Sequence, residues 1–566
     1  PSIRKEVKEL DSSKETQAIS GNSGAKKIGA GILLSRLAGL LRESLLRSVL
    51  GLGPAADAFS ASLRVPNILQ NLLGEGSLSS SFIPVYSKLL SEGKEKEAGD
   101  AAGAVAGLLI AFTGALTLLG ILIARPMAKI LTPGFTSEKL DLTADLIKIT
   151  TGGIGFLVLS AWCLGVLNSH RKFFLSYVAP VIWNAAQIVI LFIAINKDWD
   201  PTKAAKAAAW GLLLGGIAQL LFQFSGVIKL RTKIRFSFSW KNPPVKEIIK
   251  RFNPTVLGKG VVQISAYFDL VLASLLATGA VAALMSAQVL YILPISLFAM
   301  SIAAAELPEM SRNTEKEYLN KRLGQGIKQT SFLMLLTSVI YISIGDQIIG
   351  VIFQWGSFDR DDTIVVAATL AAYSLGIPAI GISRLYQSVL YANGDTKTPA
   401  LSATLRVTIS FTIGLLLMFP MDRLFISNAA LEKEPGSILN NWGPLSESVR
   451  SLPENPHLGA MGLALASAVA AWIEMLFLAK KTNSKVFLDS SPSSPILKLL
   501  PATISALAVS IIARWFLSDM NEIINCLVCV PAAILTYIII SSKNGVRESL
   551  VLIESSKKKL RNLNRD

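Results

Sequence analysis

The chain of 566 residues is poor in the residues on which most enzyme chemistry rests. It has three cysteines and two histidines, which excludes a disulfide framework, a thiolate zinc cluster and most histidine-centred catalysis. His170 and His457 stand at loop edges with no recurring partners, and no GxxxxGK phosphate loop occurs, so nucleotide-driven work has no motif. Charge is scarce too. Asp, Glu, Lys and Arg make up 17% of the chain, against roughly 25% in soluble domains. Apolar residues take their place: they make up 51%, and the mean hydropathy is +0.50.

A hydrocarbon core about 30 Å thick needs roughly 20 apolar residues per helical crossing. Stretches of that kind lie near 28–50, 56–90 (interrupted), 101–124, 143–168, 174–195, 204–228, 253–278 and 280–308. Further ones lie near 329–354, 363–391, 398–419, 457–479, 495–517 and 520–541. The pattern predicts an all-α polytopic membrane protein with about 14 transmembrane helices and no separate soluble domain.

Net charge is +16, yet its placement matters more than its size. With the N-terminus inside, the cytoplasmic segments hold 35 of the 55 Lys and Arg residues and the opposite side holds 10. This bias predicts that both termini are cytoplasmic. Segment 1–27 is polar and lacks the apolar run of a secretory signal, so it is expected to be a cytoplasmic tail. The densest basic run, Lys229 to Arg251, is expected to lie along anionic headgroups, and segment 542–566 is expected to be a second cytoplasmic tail. No nucleic-acid partner is expected, because the cations follow the membrane pattern.

Ionisable residues inside spans are costly and usually face a cavity or a partner. The basic ones are Arg36, Arg42, Arg47, Arg64, Lys148, Lys259, Arg384, Arg406, Lys498 and Arg514; acidic ones include Glu43, Asp57, Glu75, Asp269 and Glu306. Lys148, Lys498 and Arg514 lie near span ends and are expected to snorkel. Span 1 concentrates charge. At 100° per residue, Arg36, Glu43 and Arg47 fall within about 40° of one another, with Ser35 and Arg42 on a second line. Three arginines against one glutamate leave surplus positive charge, and guanidinium forks suit a phosphate or diphosphate. The alternative is an Arg–Glu pair that satisfies itself. Span 2 carries Pro66, Gly74, Gly76 and Pro84, so it is expected to be broken. Broken backbone at membrane depth is tolerated where it lines protein or water.

These residues carry a resemblance. Ser35-Arg36-x-x-Gly39-x-x-Arg42-Glu43, then Asp57-Ala58-Phe59, Pro66-Asn67, Gly74-Glu75-Gly76 and Phe82-Ile83-Pro84, are similar to the MurJ (MviN) lipid II flippases. Thr132-Pro133-Gly134-Phe135, Gln263-Ile264 with Asp269 and Ala273-Ser274, Tyr391-Ala392 with Asp395-Thr396, Thr398-Pro399, and Gly462-Leu463-Ala464 extend the likeness along nearly the whole chain.

The resemblance implies a fold of the multidrug/oligosaccharidyl-lipid/polysaccharide exporter class, with two six-helix lobes around a central cavity and two extra helices forming a groove for a lipid tail. On this sequence the lobes would be 28–228 and 253–479, joined by the linker 229–252, with 480–541 as the groove helices. The implied activity is movement of undecaprenyl-diphosphate-linked disaccharide-pentapeptide (lipid II) from the inner to the outer leaflet of the bacterial cytoplasmic membrane. The implied partners are that lipid, membrane lipids and cell-wall synthesis proteins. Arg36, Arg42 and Glu43 would occupy the essential charged positions, with Ser35 beside them; Asp57 and Glu75 would match acidic gating positions on the outer side. Two departures stand out: Gln70 and Asn71 replace a basic pair, and Val289 replaces an arginine. Lys259 and Arg384 are in-membrane cations that could compensate. A sodium site of some relatives would keep Asp269 and Ser467, but Ser410 and Gly414 replace two of its polar positions. Coupling is therefore open among sodium, protons and the membrane potential, and no resident cofactor is implied.

Rival functions differ in what they demand. An exporter of organic cations should have a net acidic cavity, whereas span 1 is net basic; an exporter of another polyprenyl-diphosphate glycan would share every feature above. A membrane glycosyltransferase needs a carboxylate base on the outer face, where loop 420–456 offers Asp422, Glu432, Glu434, Glu447 and Glu454 but reads as a solvated loop. A recruiting scaffold would use the C-terminal tail, with Leu550, Ile553 and Leu560 against Lys557 to Lys559, a pattern that membrane-surface binding explains more simply. Cys526 and Cys529 share a helix face in the last span and are expected to be buried packing. Gly211, Gly215 and Gly216 give the small-residue spacing of close helix packing.

Overall fold

A computed structural model describes residues 31–554 apart from 32, 231–233, 436–441, 453–454, 487–492 and 518–519; at 75, 255, 257–266, 485–486 and 493 it describes the backbone alone. The tails expected at 1–27 and beyond 554 lie outside the described residues. The chain forms two compact units. The first holds the residues up to Leu50, Ala58–Thr132 and Ser137–Tyr267; the second holds Gly51–Asp57, Pro133–Thr136 and the chain from Phe268 onward.

The protein is an all-α polytopic membrane protein. Helix α1 covers 33–50. It is followed by α2 (Pro54–Ser62), α3 (Arg64–Leu73), α4 (Glu75–Ser91), α5 (Glu95–Leu122), α6 (Ala124–Leu131), α7 (Ser137–Gly152), α8 (Ile154–Ser169), α9 (Phe173–Asn196), α10 (Pro201–Lys229) and α11 (Pro243–Ser274). Then come α12 (Ala280–Pro294), α13 (Met300–Arg312), α14 (Lys316–Phe353), α15 (Arg360–Ser374), α16 (Ile377–Ala392) and α17 (Lys397–Asp422). The short α18 (Glu447–Arg450) precedes α19 (Gly459–Val486), α20 (Ser493–Phe516) and α21 (Glu522–Lys543).

Among the described residues, 11 helical segments are long and apolar enough to cross a membrane. The other three expected spans are helical but interrupted or charged: α1 carries Arg36, Arg42, Glu43 and Arg47, residues 54–91 form three helices, and α11 begins with Lys246, Lys250 and Arg251. The break in span 2 falls at Gly74, whose ψ of −141° ends α3. Pro66 sits in the first turn of α3, where no intrahelical donor is lost. Pro294 is followed by a π-helical turn, Ile295–Ala299, which joins α12 to α13.

The core of the first unit packs the Phe82 and Tyr86 side of α4 and the Trp162 side of α8 against an alanine-rich face of α5. Small residues let the helices approach closely. The segment after α10 folds back on this face: Ser237 N–H donates to the Gly103 carbonyl at 3.4 Å, and Phe236 lies 6.3 Å from Trp162 between ring centroids. A side chain at Gly103 or Gly107 would overlap the carbonyls of Arg235 and Ser237. The linker, expected to lie along headgroups, is thus pinned at 235–237 to the unit itself.

In the second unit α14, α20 and α21 share a core containing Phe332, Leu499 and Tyr537. Arg514, expected to snorkel, meets Asp346 at 2.7 Å, as does Arg360 at 2.9 Å. Loop 420–456, expected to be solvated, contains regular structure among its described residues. It forms a hairpin, β1 (Leu424–Ser427) with β2 (Ala430–Lys433), turning at Asn428 and Ala429 with φ of 52° and 61°. Both turn N–H groups donate to the Asp361 carboxylate, at 3.0 and 2.6 Å. Cys529 is fully buried.

Candidate functional site

The charged positions of α1 separate by depth. The first half of the helix is exposed, with Leu33, Leu37 and Leu41 uncovered, whereas Leu46, Val49 and Leu50 are buried. Arg36 lies in the exposed half, Ser35 and Arg42 are half-buried, and Glu43 and Arg47 are buried. A bury-one-end helix of this kind places each charge in a different environment.

Glu43 is the hub. Its Oε1 accepts from Arg47 Nε at 3.1 Å and Nη2 at 2.8 Å, and its Oε2 accepts from Arg42 Nη2 at 3.3 Å. Arg47 Nη2 also donates to Ser60 Oγ at 3.2 Å. The Arg42 guanidinium reaches across to α9, where Nη1 donates to Asn184 Oδ1 at 3.4 Å and the group lies 5.3 Å from the Trp183 ring centroid. Asn184 is itself oriented by donating to the Pro180 carbonyl at 3.1 Å. Two guanidiniums against one carboxylate leave one positive charge unbalanced, and it sits on the more exposed partner, Arg42, whose side chain is 17% exposed against 2% for Arg47.

The sequence pattern put Arg36 on the line of Glu43 and Arg47 and set Arg42 apart. The structure joins Arg42 to Glu43 and leaves Arg36, seven residues before Glu43, on the exposed half. The alternative in which Arg42 and Glu43 satisfy each other is met only in part, since Glu43 takes its shorter bonds from Arg47. Asn184, Trp183 and Ser60 were missed. A polar Asn184 and Gln187 within the otherwise apolar α9 were the available signal.

Asp57 is buried and caps a helix distant in sequence. Its Oδ2 accepts from Gly279 N–H at 2.8 Å and its Oδ1 from Ala282 N–H at 2.9 Å, at the first turn of α12. A carboxylate there meets orphan donors and the positive end of the helix dipole. Gly279 takes a φ of +93°, which a side chain would strain. Nearby, Ala277 N–H donates to Asp422 at 3.0 Å, Thr278 N–H to the Arg450 carbonyl at 2.9 Å, and Gly134 N–H to Ser274 Oγ at 3.4 Å. The α11–α12 turn is therefore a junction that collects Asp57, Gly134, Asp422 and Arg450. The Glu75 and Lys259 side chains lie outside the described residues.

A second polar cluster occupies the other unit. Buried Glu474 accepts from Arg406 Nη1 at 3.4 Å, Ser402 Oγ at 3.2 Å and Gln387 Nε2 at 3.4 Å. Arg384 is exposed and donates to Gln387 Oε1 at 3.0 Å, so it reaches Glu474 only through Gln387. Arg406 also hydrogen-bonds Tyr291 and feels the charge of Asp269. Asp269, expected with Ser467 as a sodium site, therefore lies within electrostatic reach of Arg406. Among the described residues no group of three or more His, Cys, Asp or Glu side chains is placed to hold a metal.

Comparison with known proteins gives consistent matches. The family model described as "Lipid II flippase MurJ" matches residues 46–431. A protein of Rhizobium tropici named "Probable lipid II flippase MurJ" is 29% identical over 460 residues, which are 80% of this chain and 79% of that one. One of the same name from Bdellovibrio bacteriovorus is 31% identical over 415 residues, 71% of this chain and 77% of its own. Among solved structures, "Lipid II flippase MurJ, inward closed conformation" superposes with a TM-score of 0.72 at 25% identity, covering 91% of this chain and 98% of that one. An inward-facing multidrug resistance MATE transporter superposes at 0.61 with 15% identity, covering 81% and 96%. That second likeness concerns the fold alone.

Proposed function

The chain belongs to the MurJ family of lipid II flippases, and we propose that Arg36 and Arg42 are the groups that receive the diphosphate of the lipid. The protein is accordingly a transporter, not an enzyme: a multi-pass membrane flippase of lipid II that works by alternating access in peptidoglycan synthesis.

The observation that supports the diphosphate assignment is the charge imbalance at Glu43. Arg47 and Arg42 share that one carboxylate, at 2.8 and 3.3 Å, and only Arg42 keeps a partly exposed guanidinium. Asn184 and Trp183 hold its plane, which lowers the entropy lost when a phosphate oxygen binds its remaining donors. Arg36, about two turns nearer the exposed end, supplies a second fork for the other phosphate. Glu43 and Ser35 are positioning residues in this scheme, and Lys259 and Arg384 are proposed, from their place in the sequence alone, as compensating cations. Keeping the prenyl chain in lipid while the headgroup stays hydrated avoids the cost of burying unpaired polar groups.

The gating role of Asp57 belongs to the same proposal, since its two bonds to the start of α12 must break if that helix end moves. The protein is further proposed to lie in the bacterial cytoplasmic membrane with both termini inside, on the strength of the basic-residue bias. Cell-wall synthesis proteins are proposed partners because they consume the exported lipid.

Arg42→Ala tests the assignment. Cells depleted of the wild type and carrying this variant should accumulate lipid-linked precursor on the inner leaflet, with the variant present in the membrane at normal level. Normal export by that variant would remove the arginine from the mechanism.

A further inference from the structure

The three helices α14, α20 and α21 enclose a cavity of about 110 Å³ where α20 starts and α21 ends. Three cations line it, Lys328 from α14, Lys498 from α20 and Arg547 from the turn beyond α21, against one carboxylate, Glu548. The site is distinct from both polar clusters above.

Local chain geometry builds this cavity. Helix α21 ends at Gly545 with φ of +70°; Gly545 N–H donates to the Ser542 carbonyl and Val546 N–H to the Ser541 carbonyl, each at 3.0 Å. That is a Schellman turn, which glycine permits and which drives the next residue inward. Val546 accordingly joins the core with Leu499, Phe332 and Tyr537. Asn544 Nδ2 donates to the Lys498 carbonyl at 3.4 Å and Tyr537 OH to the Phe332 carbonyl at 3.0 Å, so all three helices are tied together. The backbones that carry the three cations are thereby held together, while the cationic side chains themselves are exposed.

Size and surroundings select the ligand. The volume holds about three to four water-sized groups, enough for one phosphate. Leu497, next to Lys498 on α20, and Leu550, three residues after Arg547, are exposed apolar side chains. A free anion gains nothing from such side chains, whereas a phospholipid that sets its phosphate on the cations can lay its chains along them. We infer that Lys328, Lys498 and Arg547 form a binding site for the phosphodiester headgroup of an anionic membrane lipid.

The test uses the purified full chain in detergent and reads its thermal unfolding as lipid is added. Phosphatidylglycerol should raise the Tm of the wild type; phosphatidylcholine and millimolar inorganic phosphate should not. In the triple variant Lys328→Gln, Lys498→Gln, Arg547→Gln the half-saturating phosphatidylglycerol concentration should rise by about fivefold per cation removed. A control triple, Lys88→Gln, Lys94→Gln, Lys96→Gln, should keep the wild-type response. A wild-type response in the first triple, or an equal loss in both, overturns the site. An equal rise with inorganic phosphate overturns the lipid in favour of a free anion. Arg547→Gln alone, with a smaller shift of the same sign, serves if the triple variant does not fold.

Discussion

Arg47 donates two hydrogen bonds to a single oxygen of Glu43, at 3.1 and 2.8 Å, and is 1% exposed. Breaking a buried pair from one side strands a charge at about 3–5 kcal/mol, while replacing both members by apolar groups is often neutral. Arg47→Met and Glu43→Gln should therefore each lower the Tm in detergent sharply, and the double variant should recover most of the loss. A double variant no more stable than the singles would show that the pair is not the buried unit described. Arg42→Ala should differ from all three, because Glu43 keeps Arg47 and folding is little affected while transport fails.

Asp57 offers a second separation of stability from transport. Its carboxylate meets two N–H groups of α12, and losing a cap of this kind costs about 1–2 kcal/mol. Asp57→Ala should raise amide exchange at Gly279 and Ala282 by about tenfold or more while the α9 and α10 amides stay unchanged. Unchanged exchange at Gly279 would mean that the two bonds do not hold the helix end.

Most of the fold was legible because bilayer burial writes itself as apolar runs of a fixed length. The break at Gly74 was legible too, since glycine and proline act locally. Contacts that depend on which helix faces which were not. Nothing in span 1 alone shows that Asn184 and Trp183 lie beside Arg42, although the i,i+4 spacing of Glu43 and Arg47 favours their pairing. Helical periodicity gives angle around an axis, and depth along it decides which charges are covered. The hairpin at Leu424–Lys433 escaped notice for a related reason: Asn428-Ala429 lacks the glycine that marks such a turn, and Asp361 supplies the stabilisation from another helix.

The linker pin makes a steric prediction. Gly103 and Gly107 leave no room for a side chain beneath the carbonyls of Arg235 and Ser237. Gly103→Val should lift residues 235–237 from α5 and free the backbone at Arg235 to enter the active site of trypsin. Cleavage in this segment should be faster than in the wild type, with α5 itself intact. A wild-type cleavage rate would show that the segment is held elsewhere, for instance by the Phe236 ring against Trp162.

His457 gives the Leu424–Lys433 hairpin a dependence on pH whose sign follows from burial. Its ring lies 5.5 Å from Phe425 and its Nδ1 meets the Asp422 carbonyl, while its backbone bridges to Phe425. Burial disfavours the imidazolium and pushes the pKa below 6.5; the Asp422 carbonyl and the Glu434 charge oppose this without reversing it. The unfolded segment therefore binds the proton more readily than the folded one. Stability is complete above the ordinary histidine value of about 6.5 and declines as the pH falls below it. Amide protection across Leu424–Lys433, corrected for the intrinsic exchange rate, should drop between about pH 7 and pH 5.5. His457→Gln, which cannot titrate at this position, should show a smaller drop over the same range. A wild-type drop no larger than that of the variant would mean that the folded hairpin takes up the proton at no cost, and the ring would then have to be solvated rather than packed on Phe425.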